Sequence, residues 1–351
     1  MHRPLRLPDN RVPLFYEGGE GIDRFRAAPG GHRGPEDWVA SLCRLPTSMV
    51  GPDGPPDAGL SKTVDGTILI DLVQADPVGW LGDALAGRFG GDSGLLVKLL
   101  DAGERLPVHC HPTRSFGADH LGSLFGKTEG WIIMDAPPGA TVWLGLSDDI
   151  DIATLRRWIE HQDARSMLAA MNEIEVSAGQ VVFVPAGLPH SIGPGVMLTE
   201  LQEPTAFSVL AEYEPFGLDD DQATLGLGWD VALACFDLGG YRGDRLAALL
   251  PPRTEWSVQP GGTVFDLFSP AADEFFAARL VGCAGTVELA EPGFAVLVIT
   301  DGSGMLRWDG GVEPVGRGET WVVPYGAGIT SFTGDLQAIV CLPPNTEGTS
   351  R

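Results

Sequence analysis

Apolar residues along this chain come mostly in short runs, alternating with polar residues or nearly continuous, and broken by glycine, proline and acidic residues. That pattern predicts β-strands. Such runs fall at Leu95–Asp101, Leu106–Cys110, Gly130–Asp135, Thr141–Leu144, Ile174–Val176, Val181–Val184, Val196–Leu201 and Ala206–Tyr213. Their spacing predicts a small all-β barrel. Helical spacing interrupts the strands in three places. DPVGWLGDALAGRF, Asp76 to Phe89, has Asp76 as its cap, Pro77 in its first turn and Gly90–Gly91 as its stop. Residues 151–172 read as two short helices inserted between strands, and residues 217–250 as a helix around Trp229–Leu238 with a second near Asp244–Leu250. Thr67–Val73 reads as a strand or a short buried segment. Residues 1–60 read as an extended arm and loops packed on the first barrel, with one patterned piece, EDWVASLCRL, at Glu36 to Leu45.

From Trp256 to Leu342 strand periodicity returns, and one stretch repeats an earlier one. GRGETWVVPYGAGITSF, Gly316 to Phe332, echoes SAGQVVFVPAGLPHSIG, Ser177 to Gly193: glycine, a polar residue, an apolar strand, proline, a small residue, glycine. Where the first copy has His190 the second has Ile329, and no histidine follows His190. The chain therefore divides into an arm plus ligand-bearing barrel (1–216) with a helical insert (151–172), a helical connector (217–252), and a second barrel without ligands (253–351).

Composition narrows the partners. The 351 residues can bury a full core, and 44% hydrophobic with 20% charged residues is the balance of a folded protein. Glycine (48) and proline (28) are abundant, as many turns require. With 47 acidic against 23 basic residues the formal charge is -24, which argues against nucleic acid and anionic membrane as partners. No apolar run is long enough for a signal peptide or a membrane helix. The five cysteines (43, 110, 235, 283, 341) are odd in number, dispersed and without a CxxC pair, so they read as reduced thiols of a cytoplasmic protein.

The chemistry concentrates in LPVHCHPTRSFGADHLGSLFGKTE, Leu106 to Glu129, and in PAGLPHSIG, Pro185 to Gly193. His109 and His111 alternate with Val108 and Cys110, so both imidazoles leave one face of a strand and Cys110 the other. Glu129 opens the next apolar run, and His190 sits in a PxGxxH turn. A single histidine is more often a hydrogen-bonded surface residue, but three imidazoles and a carboxylate on neighbouring strands can converge on one divalent ion. Zn²⁺, Mn²⁺, Fe²⁺, Co²⁺ and Ni²⁺ all suit these donors. Lys98 interrupts an apolar strand, so it either faces a pocket with a partner or lies at an edge. Lys127, Arg114, His120, Glu200, Gln202 and Glu203 lie near the ligands in sequence. A carboxylate beside a bound metal is a candidate proton carrier; for Glu200 the alternative is a solvated strand end. His161 reads as a solvated helix residue.

The runs LLVKLLDAGERLPVHCHP, GKTEGWII and AGQVVFVPAGLPHSIGPGVMLTELQ, with EDWVAS before them and LGLGWDVAL after, resemble the type I mannose-6-phosphate isomerases in their short bacterial form. The resemblance implies a mainly β protein of two cupin (jelly-roll) barrels and a zinc-dependent aldose–ketose isomerase working through a cis-enediol on a sugar or sugar phosphate. His111, Glu129 and His190 match zinc ligands of that family, and His109 stands where the family has glutamine. Glu200 matches an active-site glutamate and Lys127 a substrate-binding lysine; these two are the catalytic candidates. Lys98, Arg114 and Gln202 complete the substrate-binding set. Two departures bear on the phosphate. Pro107 replaces a family serine, and the family's arginine beyond the glutamate has no counterpart, because neither Lys nor Arg occurs between Arg165 and Arg242. Ser208 or Leu210 stands in that stretch, and Arg114 is the candidate substitute. Two rival readings of the same barrel are a cupin-type Fe²⁺ oxygenase and a sugar-binding cupin without catalysis.

Overall fold

The computed structural model describes residues 2–28, 34–46, 49, 54–289 and 292–346. Twelve strands come before the helical connector: β1 (Leu5–Leu7), β2 (Arg11–Val12), β3 (Glu36–Val39), β4 (Leu96–Asp101), β5 (His109–Cys110), β6 (Glu129–Asp135), β7 (Thr141–Leu146), β8 (Met171–Glu175), β9 (Val181–Val184), β10 (His190–Ile192), β11 (Met197–Gln202) and β12 (Val209–Leu210). Seven follow it: β13 (Thr254–Gln259), β14 (Gly262–Asp266), β15 (Ala277–Leu289), β16 (Ala295–Trp308), β17 (Gly311–Gly316), β18 (Thr320–Val323) and β19 (Thr330–Leu342).

The first cupin is a sandwich of a six-stranded sheet, β2-β3-β4-β11-β6-β9, and a five-stranded sheet, β12-β5-β10-β7-β8. Antiparallel pairing aligns side chains in rows, and one row across the six-stranded sheet runs Trp38, Lys98, Glu200, Trp131, Val182. Between the sheets this face is apolar at one end, where Leu100, Trp131, Ile133, Val182, Val184 and Leu198 form a core with Val142, Leu144 and Ile192 of the facing sheet. The row places ionisable groups at the other end. The reverse face of the same strands (Val97, Leu99, Ile132, Phe183, Leu201) packs into a core shared with Phe268, Phe276, Phe294, Val296 and Ile339 of the second cupin. Gly130 shows how close this contact is: a Cβ there would lie 2.5 Å from Phe268.

The second cupin is one eight-stranded sheet, β1-β18-β16-β19-β15-β14-β13 with β17 on β16. The arm serves both halves. Leu5–Leu7 pairs with Thr320–Val322, while Arg11–Val12 pairs with β3, so the arm packs on the second barrel as well as on the first. The repeat noted in the sequence is visible as strand, turn and strand: β9 leads to β10 as β18 leads to β19. In the first copy the turn carries the chain between sheets; in the second both strands stay in one sheet.

Helices fall where the periodicity placed them, with shorter spans. Asp76 caps Pro77–Leu81 by accepting from the Gly79 amide, but Gly82, at φ 81°, breaks the segment before Asp83–Phe89. The insert forms Ile152–Glu160 and Ala164–Ala169. The connector's helix at Trp229–Ala232 tightens into a 3₁₀ turn at Leu233–Cys235, and Asp244–Ala247 follows. The segment read as a strand or a short buried segment at Thr67–Val73 is not a strand but leads into helix Leu69–Ala75, where Leu69 and Val73, four apart, are both fully buried on one face. Among the described residues no helix is long and apolar enough to cross a membrane.

Candidate metal centre and substrate cavity

Two strands of the five-stranded sheet build the cluster. His109 on β5 lies directly opposite His190 on β10, and His111 follows two residues after His109. The ring centroids are 4.1 Å apart for His109 and His190, and 4.9 Å for each pair with His111. Gly187, in the turn that leads to His190, donates its amide to the His111 carbonyl at 2.8 Å and ties the two sequence motifs together. Its φ of 89° is one that glycine adopts without strain.

Each imidazole is oriented the same way. Nδ1 of His109, His111 and His190 lies 2.8, 2.9 and 2.8 Å from the carbonyls of Pro107, Phe207 and Leu188. A carbonyl only accepts, so each Nδ1 carries the proton and each Nε2 presents a lone pair. Glu129, at the head of β6, brings its carboxylate to the same point: Oε2 is 3.0 Å from His111 Nε2 and Oε1 is 3.3 Å from His190 Nε2. Trp131 fixes that carboxylate by donating from Nε1 to Oε1 at 3.0 Å.

The cluster passes a test of fit for a cation. Nitrogen lone pairs facing carboxylate oxygens at about 3 Å repel one another unless positive charge stands between them. His190 Nε2 has no hydrogen-bond partner although it is fully buried. The Lys127 ammonium already marks the convergence, with Nζ 2.9 Å from His111 Nε2 and 3.1 Å from Glu129 Oε2. Ligand atoms of the three histidines lie within 4.8 Å of one another, so this set could hold a metal ion. The donor set fits a divalent first-row ion.

Protonation reinforces the fit. Burial first, and then the Lys127 charge, push His111 down to about 3. Burial and the neighbouring His190 and His111 hold His109 well below its usual range. Burial alone would raise Glu129, but Lys127 and His111 outweigh it and keep the carboxylate ionised. Lowered pKa values keep His109 and His111 neutral as pH falls, so protons do not compete for these two lone pairs until the medium is strongly acidic. Metal affinity measured by competition with a chelator of known pH dependence should therefore change by less than about tenfold between about pH 7.5 and about pH 5.5. A steep fall through about pH 6.5 would show ordinary, exposed imidazoles instead.

Beside the cluster stands a second group of charges. Lys98 is buried in the middle of the six-stranded sheet, not at an edge, with Nζ 3.1 Å from Glu200 Oε2 and 3.2 Å from Glu36 Oε2. Tyr16 and Trp38 each donate to Glu36 at 2.6 Å. Burial would raise Glu36, but Lys98 and these donors bring it below its ordinary value. Glu200 receives less help: burial pushes it up to about 8 despite Lys98. Two carboxylates with opposite shifts thus share one lysine. Replacing Lys98 by methionine should cost about 3–5 kcal/mol of stability, read as a lower urea midpoint, because Glu36 stays buried without its nearest counter-charge. An unchanged midpoint would show that Glu36 does not depend on it.

The structure brings His109, Lys98, Lys127, Glu129, His190 and Glu200 to the wall of one narrow cavity, together with Tyr16, Glu36 and Trp38. Glu36 and its donors escape a search for ligand motifs. Their signal is the E-x-W spacing of EDW, which puts both side chains on one face of β3. Two proposed substrate contacts are placed elsewhere. Arg114 is turned away: its guanidinium is consumed by Glu203 at 2.5 Å and by Glu274 at 2.8 Å, over the Phe275 ring, so it clamps the two barrels together. Gln202 shares the side of β11 that Glu200 occupies, but its amide donates to the carbonyls of Glu203 and Thr205 at 2.8 and 2.7 Å, and it does not line the cavity. Glu203 accepts from Arg114 and from the Thr128 amide and is structural in the same sense. Of the other histidines, His2 pairs with Asp76, His120 packs on Phe116 and His161 bonds its own helix; His32 lies outside the described residues.

A mainly β chain of two cupin barrels, the first carrying three buried imidazoles and a carboxylate that could hold a metal ion beside a cavity with further ionisable groups, has the architecture of a cupin. Its relatives in sequence and its neighbours in structure are mannose-6-phosphate isomerases. A mannose-6-phosphate isomerase of Streptococcus mutans is 35% identical over 115 residues, a match spanning 31% of this chain and 33% of that protein. The isomerase ManA of Bacillus subtilis is 24% identical over 261 residues, 73% of this chain and 77% of the relative. No protein-family profile matches the sequence. The crystal structure of the mannose 6-phosphate isomerase from Bacillus subtilis superposes with a TM-score of 0.75 at 21% identity, covering 96% of this chain and 99% of that one. A variant of the phosphomannose isomerase from Salmonella typhimurium gives 0.73 at 14% identity over 97% and 100%. The fold is theirs from end to end.

Proposed function

We propose that this protein is a metal-dependent aldose–ketose isomerase, with His109, His111, Glu129 and His190 as the metal ligands and Zn²⁺ as the ion. The observation that carries the reading is that His109, Glu129 and His190 line the same cavity as a buried carboxylate, Glu200, which burial pushes up to about 8. Bound there, a divalent ion supplies Lewis acidity to the hydroxyl and carbonyl oxygens of a sugar. The Glu200 carboxylate removes the proton from C2 of the aldose and returns it to C1 of the cis-enediol, while a second proton passes from the C2 hydroxyl oxygen to the C1 oxygen; Lys98 holds the carboxylate in place. Lys127 donates a hydrogen bond to a substrate oxygen beside the ligands. The apolar wall of Leu100, Leu106 and Ile192 limits water at the reacting carbons.

Its relatives are named for mannose 6-phosphate; for this chain we propose mannose or a related aldose as the substrate, phosphorylated or free. Five unpaired cysteines, four of them buried, support a place in the reducing cytoplasm. Incubating the metal-loaded protein with a panel of free and 6-phosphorylated aldoses should yield the corresponding ketose from at least one. If none reacts, the isomerase reading fails, and oxygen uptake with Fe²⁺ then tests the oxygenase.

A further inference from the structure

The narrow cavity abuts a larger cleft of about 1050 Å³, and the two share Leu14, Phe15, Met49, Ala206, Ser208 and Leu210 as walls. A sugar with its first two carbons at Glu200 must send its remaining carbons and any substituent toward this cleft. What the cleft offers to that end is unfavourable to an anion. Among the described residues its wall carries two cations, Arg11 and Lys62, and three carboxylates, Asp9, Asp57 and Asp221.

Both cations are already used. The Arg11 side chain is only 6% exposed; Nε and Nη2 donate to the Gly34 carbonyl at 3.1 and 2.6 Å, and Nη1 pairs with Asp23 at 3.1 Å. Lys62 Nζ lies 2.5 Å from Asp57 Oδ2. In the inner cavity Lys98 is held between two carboxylates, and Lys127 lies beside the ligand cluster, at the reacting end of the sugar and not at its far end. A phosphate dianion is bound by charge-assisted donors, usually more than one, and loses its hydration at a high cost when they are missing. The Asp221 carboxylate in the cleft and the overall charge of -24 add repulsion at short and long range. The rest of the wall is chiefly aliphatic and aromatic carbon, with the amides of Asn10 and Gln222, the Thr63 hydroxyl and, at the junction, the Ser208 hydroxyl. These surfaces suit the C–H faces and hydroxyl groups of an uncharged sugar.

We infer that the substrate is an unphosphorylated aldose, a neutral sugar whose far end rests on the Phe15 and Ser208 side of the cleft; the inference rests on the isomerase reading above. The test compares kcat/KM of the metal-loaded full-length protein for each free aldose and for its own 6-phosphate. The expected result is at least one pair in which the free sugar is preferred by about tenfold or more, equivalent to about 1.4 kcal/mol. Equal use or preference for the 6-phosphate in every reacting pair overturns the inference and leaves the isomerase reading standing. If no sugar reacts, the isomerase reading falls, and calorimetric titration of the same pairs decides the substrate class. Tighter binding of a free sugar by about tenfold supports the inference; any other result, including no binding, overturns it.

Discussion

Replacing His190 by alanine is expected to remove the metal and the isomerase activity together, and His111→Ala should do the same. Each change deletes one of three Nε2 donors that converge with Glu129, and no described side chain stands ready to replace either. The Lewis acidity that a divalent ion contributes is several kcal/mol, so activity should fall by roughly 10³-fold or more. Elemental analysis should show the metal lost in proportion. Far-UV circular dichroism should be unchanged, because a small cavity at the end of a short strand leaves the barrel's apolar core intact. A variant that keeps full activity with no metal would remove the ion from the account.

Glu200→Gln is expected to have the second largest effect and a different signature. The amide occupies nearly the same volume and leaves Lys98 paired with Glu36, so the row across the sheet persists. It cannot accept the C2 proton. General acid–base catalysis by a positioned group is typically worth about 10²–10⁴-fold, and kcat should drop within that range while metal content stays at the wild-type level. Loss of metal in this variant would make Glu200 a support for the ligand cluster. Retention of both metal and kcat would assign the proton transfer to another group.

The convergence of the histidines and Glu129 was legible in the sequence because it rests on local rules. His109 and His111 share a face through strand alternation, and the PxGxxH turn announces His190. Glu129 was legible as the residue that opens an apolar strand. What was not legible depends on partners far away in the chain. Arg114 reads as a free cation near the ligands until Glu274 of the second barrel closes on it. Gln202 has the right parity on β11, and only the turn that follows shows where its amide is spent. Glu36 lies in a segment whose strand is four residues long, too short for its period to be distinctive, and its meaning comes from Lys98 on the next strand, beyond an intervening run of helices.

The same contrast holds for the fold. Barrel strands and capped helices follow from patterns of a few residues, and even the two-residue strands β5 and β12 fall inside the runs Leu106–Cys110 and Ala206–Tyr213 that the pattern marks, with the extent of pairing shorter than the runs. Leu5–Leu7 joins the last part of the chain in the second barrel's sheet, a pairing that no local pattern encodes. Helix Leu69–Ala75 was not legible because Ile, Leu and Val in a short run serve a strand or a helix equally well; burial of Leu69 and Val73 on one face decided it.

The central claim is that one cavity uses a metal ion and Glu200 to move a proton between adjacent carbons of a sugar. Solvent exchange at C2 tests it most directly. Metal-loaded protein incubated in heavy water with its best aldose should introduce deuterium at C2 of the recovered aldose, and the exchange should stop when the metal is stripped and in Glu200→Gln. Ketose formed without any solvent deuterium in product or recovered aldose, or exchange that persists in the stripped protein, would contradict it.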